Sequence, residues 1–122
     1  MIKYSEFDLQ KAVVQFLEIA LPLEAVFFHV PNGEKRSKAT AGKLKAMGVK
    51  PGVPDIFILY GSLTYFIELK RPKGGVASDD QNIMQERLRC AGAAVMMGNC
   101  RSVEELENWL TVFMPLRATV AA

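Results

Sequence analysis

The chain has almost none of the residues that serve as soft metal ligands: one histidine and two cysteines in 122 residues. Cys90 and Cys100 form no Cys-x-x-Cys pair and have no histidine at zinc spacing, so reduced thiols are expected rather than a disulfide or a zinc centre. Any histidine-based chemistry would rest on His29 alone. Long apolar runs are missing too. None reaches the roughly 18 residues that a membrane span needs, and Met1-Ile2-Lys3-Tyr4-Ser5-Glu6 lacks the charged-then-apolar order of a signal peptide. The expected compartment is therefore the cytoplasm, with no membrane partner. A phosphate-binding P-loop is excluded, because Leu44 follows Gly42-Lys43 and Ser37 stands where the first glycine is required. No nucleotide cofactor is expected. Repeats, low-complexity segments and linkers are absent, and residues 1–122 suit one domain with one core.

What is present is an ordinary globular composition, 50% hydrophobic and 23% charged, with a net charge of only +2. The distribution of that charge is more informative than its sum. Between Glu34 and Lys50 stand six bases, Lys35, Arg36, Lys38, Lys43, Lys45 and Lys50, against one acid. Lys70, Arg71 and Lys73 form a second cluster. Local basic clusters on a near-neutral chain suit a polyanion, although a solvated helix face has the same composition.

Periodicity and turn residues divide the chain into helix, strand, helix, hairpin, helix, strand and helix. Ser5, with Asp8 three residues on, caps a helix that runs to about Leu21 on a stripe of Leu9, Val13, Phe16, Leu17 and Ala20. Glu6 falls in line with that stripe; it either serves a purpose there or simply favours the helix dipole in the first turn. Ala25 to Val30 reads as a strand ending in the turn Pro31-Asn32-Gly33, and Lys38 to Met47 as a helix stopped by Gly48. Asp55–Tyr60 and Leu63–Lys70 form the hairpin. Ser78 with Gln81 caps a helix with Met84, Leu88 and Ala91 inward; Ala93 to Gly98 is a buried strand. Ser102 with Glu105 caps a last helix with Val103, Leu106, Leu110 and Phe113 inward. The core spans about residues 5 to 112, and the tail from Pro115 to Ala122 is expected to fray. The result is an α/β fold: a central mixed sheet of about four strands flanked by helices. The hairpin lies at its centre, because Ile56, Phe57, Ile58 and Leu59 are apolar on both faces.

Two acids break the apolar pattern at one end of this hairpin. If Gly61-Ser62 is a two-residue turn, paired residue numbers sum to 123 and Asp55 lies opposite Glu68. Directly opposed side chains share a face, with Cβ atoms roughly 5 Å apart. Two carboxylates that close repel unless a cation lies between them, and all-oxygen ligation favours a hard ion such as Mg²⁺ or Mn²⁺. Lys70, two residues beyond Glu68, shares the acid face. A cross-strand ion pair of Lys70 with either acid is the competing reading, but it leaves the second acid without a purpose. Two carboxylates, a divalent ion and a lysine are the parts that cleave a phosphodiester.

Gly52-Val53-Pro54-Asp55, then Glu68-Leu69-Lys70-Arg71-Pro72, then Gln81, resembles the PD-(D/E)xK nuclease superfamily. The closer similarity is to its virus-type replication-repair nuclease (VRR-NUC) branch, in the small stand-alone phage or bacterial form. Glu6 and the Pro31-Asn32-Gly33 turn, with bases following, add to it. The resemblance implies a restriction-endonuclease-like core and a DNA endonuclease. Asp55, Glu68 and the Leu69 backbone carbonyl would be metal ligands, and Glu6 a further ligand, directly or through water. Lys70 would orient the attacking water and steady the transition state. Gln81 would support Lys70 or the water, although as the third residue of a capping box it needs no such role. Asn32, Lys35, Arg36, Lys38, Lys43, Lys45, Lys50, Arg71 and Lys73 would face DNA, and His29 either lines that cleft or is satisfied at its strand end. Branched DNA such as a Holliday junction, and a homodimer acting in DNA repair, are further implications. A catalytically silent binding module, or a nuclease for other DNA or RNA, remains as the alternative.

Overall fold

The computed structural model describes residues 5–31 and 37–120. Asn32, Lys35 and Arg36 lie outside the described residues, as does most of the turn after Pro31. The element order is α1 (Glu6–Ala20), β1 (Val26–His29), α2 (Lys38–Ala46), β2 (Ile56–Tyr60), β3 (Leu63–Ile67), α3 (Asp79–Cys90), β4 (Ala94–Val95) and α4 (Val103–Thr111). This is the expected α/β order. The sheet is mixed, with spatial order β1-β2-β3-β4, antiparallel except for the β3–β4 pair. The hairpin β2–β3 is central, as its apolar sequence requires.

The hairpin turn sets the register of everything that follows. Gly61 and Ser62 have φ of 60° and 66°, the left-handed pair that a tight two-residue turn demands. Tyr60 then pairs with Leu63 and Ile56 with Ile67. Strand alternation sends Ile56, Ile58, Tyr65 and Ile67 to one face, where they are buried against Leu9, Val13 and Leu17 of α1 and Leu106 and Leu110 of α4. Each such side chain contributes about 1.5–3 kcal/mol on burial. On the opposite face Phe28, Phe57 and Phe66 form a row across β1, β2 and β3, the first two stacked with centroids 4.6 Å apart.

Helix ends follow their capping signals. Ser5 with Asp8, and Ser78 with Gln81, form complete reciprocal boxes. At α4 only half of the expected box is made: Ser102 accepts from the Glu105 N–H, but the Glu105 carboxylate turns to the Arg101 N–H at 2.9 Å. Helix α2 has no buried residue, and Lys38, Lys43 and Lys45 are all exposed.

Three further expectations are corrected. The fourth strand is shorter than Ala93–Gly98, because Gly98 (φ 84°) and Asn99 (φ 69°) turn the chain out of the sheet. On α3 the buried residue is Gln85; Met84 and Leu88 are only half-buried and Ala91 is exposed. The tail does not fray directly after Pro115. The Arg117 N–H donates to the Ala20 carbonyl, and its guanidinium donates to the carbonyls of Leu21 and Glu18, closing the C-terminus of α1. The Val120 N–H donates to the Glu107 carboxylate. No helix among the described residues is long and apolar enough to cross a membrane.

Candidate active site

The strand register ends at Ile56 with Ile67; Asp55 and Glu68 are the next residue on each strand, close enough for the Asp55 charge to act on Glu68. By the same alternation both acids belong to the face of Phe57 and Phe66. Leu69, between Glu68 and Lys70, points the other way and is wholly buried in the core. That alternation fixes Glu68 and Lys70 on one side, since neither can turn inward without expelling Leu69. Asp55 Oδ2 accepts the Leu69 N–H at 2.9 Å, tying one acid to the backbone beside the other. In an extended strand the N–H and C=O of one residue point to the same side, so the Leu69 carbonyl also faces the Asp55 side.

Glu68 is 3% exposed. Its Oε1 accepts from Gln81 Nε2 at 2.8 Å and from Lys70 Nζ at 3.3 Å. Its Oε2 is buried and, when ionised, has no donor among the described residues. Burial, and then the negative charge of Asp55, push the Glu68 carboxyl up to about 8, against the smaller downward pull of Lys70. Protonated, Glu68 can hydrogen-bond to Asp55. Ionised, it needs a further positive charge beside it. Lys70 is itself nearly buried and Asp55 half-buried, so the lysine and both acids are withdrawn from bulk solvent. An orphaned carboxylate oxygen, a second carboxylate and a backbone carbonyl are hard donors that fit Mg²⁺ or Mn²⁺.

Gln81 closes the expected cap, and the same amide also reaches the acid pair, at Glu68 rather than at Lys70. Its Oε1 accepts the Ser78 N–H at 2.9 Å, closing the capping box, and its Nε2 donates to Glu68. The cap fixes the amide: with Oε1 on a backbone donor, Nε2 must face the carboxylate. Gly52 brings that helix end to the site. Its φ is 80°, and a Cβ there would lie 2.3 Å from the Asp80 carbonyl oxygen and 2.8 Å from the Gln81 nitrogen. Only glycine lets the Gly52-Val53-Pro54 loop, which delivers Asp55, pack directly on the first turn of α3.

Other expected site residues are placed differently. Glu6 is exposed, one turn before the first buried position of α1 at Leu9, and does not join the acids. Among the described residues no group of three His, Cys, Asp or Glu side chains could hold a metal, so Asp55 and Glu68 stand as a pair. Its first-turn location satisfies the helix dipole instead. His29 Nδ1 bonds to the Asp55 backbone carbonyl at 2.9 Å, the strand-end role. Lys38, Lys43, Lys45 and Lys50 are exposed on and after α2, and Arg71 and Lys73 are exposed just beyond Lys70.

Some residues around the site gave no motif. The Arg101 guanidinium donates to the Arg71 carbonyl at 2.9 Å and the Gly75 carbonyl at 2.7 Å, pinning the basic loop after Lys70. Nothing in the sequence marks it. Cys100 brackets the acid segment: its N–H donates to the Glu68 carbonyl at 2.7 Å and its carbonyl accepts the Lys70 N–H at 2.9 Å.

Fold and site together define an α/β domain with a restriction-endonuclease-like core and an acid–acid–lysine cluster at the end of its central hairpin. A solved structure described as a VRR_NUC domain protein shares this fold, with a TM-score of 0.73 over 93% of this chain and 91% of that chain, at 20% identity. The resemblance read from the motifs therefore holds at the level of the fold. No family model matches the sequence, and no curated protein matches it.

Proposed function

We propose that this protein is a divalent-metal-dependent nuclease that hydrolyses phosphodiester bonds in DNA. The observation that carries the reading is Glu68: a buried carboxylate with an orphaned oxygen, beside a second carboxylate and a lysine. A structural ion pair would need one acid and one base; this cluster holds two acids, and among the described residues one of them has no donor for half of its charge.

Asp55, Glu68 and the Leu69 carbonyl would hold Mg²⁺ or Mn²⁺. Such an ion supplies charge neutralisation at a phosphate oxygen and lowers the pKa of water. The remaining chemistry belongs to the chain. Lys70, held at Glu68 Oε1, presents an ammonium on the acid face. There it orients the attacking water and takes up negative charge as it develops on phosphorus. Gln81 keeps Glu68 from rotating and leaves its second oxygen free for the cation. The exposed lysines of α2, with Lys50, Arg71 and Lys73, would contact phosphates and make binding fall steeply with salt.

The preferred substrate would be branched DNA, cut by a homodimer that offers two sites. Val26 pairs with Leu59 across β1 and β2 and Phe28 lies on the same face; all three are exposed and uncharged, as a subunit contact requires. The test is incubation with linear duplex, flap, four-way-junction and RNA substrates in Mg²⁺, Mn²⁺ or EDTA, beside Asp55→Ala, Glu68→Ala and Lys70→Ala. Cleavage in metal that disappears in EDTA and in all three variants is expected. Cleavage that persists in EDTA or in the variants refutes the mechanism. Metal-independent binding without cleavage supports a silent DNA-binding module instead.

A further inference from the structure

Glu68-Leu69-Lys70 lies beyond the last residue of β3, Ile67, where regular strand pairing has ended. Two attachments keep it extended. On the β2 side, Asp55 Oδ2 holds the Leu69 N–H. On the far side the segment is held by one residue, Cys100, through its two backbone bonds to Glu68 and Lys70 and the isolated bridge at Leu69. The position of Cys100 therefore sets the position of the acid and the lysine.

Cys100 does not follow from a regular strand either. β4 ends at Val95, and the chain makes an excursion through Gly98 and Asn99, both with positive φ, before returning to the sheet. For Asn99 a φ of 69° lies in the left-handed region, uncommon for non-glycine residues but best tolerated by asparagine, and its side chain is held in place. The holder is Gln85, whose Nε2 donates to Asn99 Oδ1 at 2.9 Å. Gln85 is 2% exposed and is the one buried residue of α3. It lies one turn beyond Gln81, so two glutamines four residues apart on one helix face reach the two sides of the site, Gln81 at Glu68 and Gln85 at Asn99. Gln81 takes the Glu68 side chain, and Gln85 acts through Asn99 and Cys100 on the backbone.

We infer that Gln85 and Asn99 form a positioning pair that sets the spacing of Glu68 and Lys70 for metal binding and catalysis. The inference rests on the nuclease reading for its catalytic consequence, but its structural half is tested without metal. In Gln85→Leu and in Asn99→Gly, which keeps the positive φ and loses the acceptor, the amide protons of Lys70 and Cys100 should exchange roughly 10–100-fold faster in metal-free protein. Asn99→Asp retains an acceptor for Gln85 and should exchange as wild type does. With metal and DNA, Gln85→Leu and Asn99→Gly should raise the metal concentration for half-maximal rate and lower kcat by roughly 10–100-fold. KM for DNA should stay unchanged, Asn99→Asp should restore the rate, and the double variant should be no worse than either single one. Unchanged exchange in Gln85→Leu, a loss in Asn99→Asp equal to that in Asn99→Gly, or additive losses in the double variant would overturn the inference. If wild type itself neither binds metal nor cleaves, the nuclease reading fails while the exchange result still decides the positioning role.

Discussion

The buried carboxylate makes a quantitative demand on stability. In metal-free protein the Glu68 carboxyl is pushed from a usual value near 4.5 up to about 8, chiefly by burial and next by Asp55. The folded state therefore holds a proton that the unfolded chain has released. Where the folded state binds more protons, stability falls as pH rises. Below pH 4.5 both states are protonated and Glu68 has no effect. Between 4.5 and 8 each pH unit removes up to 1.36 kcal/mol, and above 8 both states are ionised and the loss is complete. At 3% exposure there is little solvent to screen this. Glu68→Gln should abolish the dependence, because the neutral amide keeps an oxygen for Gln81 and Lys70 and offers an N–H to Asp55. The assay is urea unfolding in EDTA at pH 5 and at pH 8 for both proteins. The variant should gain about 3 kcal/mol relative to wild type between those pH values. Added Mg²⁺ should then stabilise wild type at pH 8 and leave the variant unchanged. A stability difference that is the same at both pH values would refute the description of Glu68 as a buried acid held neutral in the absence of a cation.

Four other perturbations follow from contacts already described. Gly52→Ala must push the first turn of α3 away, since its Cβ would overlap the Asp80 carbonyl; nuclease rate should fall at least tenfold and urea unfolding should show a loss of about 1–3 kcal/mol. Arg117→Ala removes two guanidinium bonds to the last carbonyls of α1 and should lower unfolding free energy by about 1–2 kcal/mol, with activity unchanged at a temperature where the protein is folded. Lys43→Glu with Lys45→Glu should weaken DNA binding and flatten its salt dependence without altering melting temperature, as both are exposed on a helix with no buried residue. Ser62→Gly relieves a left-handed residue in the hairpin turn and should raise the melting temperature by a few degrees.

The legible parts of this chain were those encoded locally. A two-residue turn has one register, so counting from Gly61-Ser62 pairs Tyr60 with Leu63 and Ile56 with Ile67, which leaves Asp55 and Glu68 as the next residue on each strand. Ser5, Ser78 and Ser102 each announced a helix start by a side chain that reaches three residues ahead. What depends on a partner distant in sequence was not legible. Arg101 reaches back 30 residues to Arg71, and Arg117 reaches back 99 to Glu18; neither leaves a local trace. Gln85 did leave one, since it stands four residues after Gln81 and so on the same face, but a polar residue at an inward position reads as an interruption of the stripe. Glu6 misled for the opposite reason. It falls in line with the buried stripe, but it stands in the first turn of α1, before the first buried position at Leu9, and is exposed.

The hairpin turn has a consequence for which changes in length the chain can survive. Gly61 and Ser62 lie five paired rows from the acids, roughly 17 Å away along the strands. They touch nothing in the site, yet they act as its ruler. One residue inserted into that turn would slide β3 by one place against β2, send Glu68 and Lys70 toward the core and bring Leu69 out between the carboxylates. One residue removed would do the same in the other direction. Relatives of this domain should therefore tolerate many residue types at the tip of the hairpin while holding its length constant, and a gap there in a relative would mark a protein that has given up the chemistry.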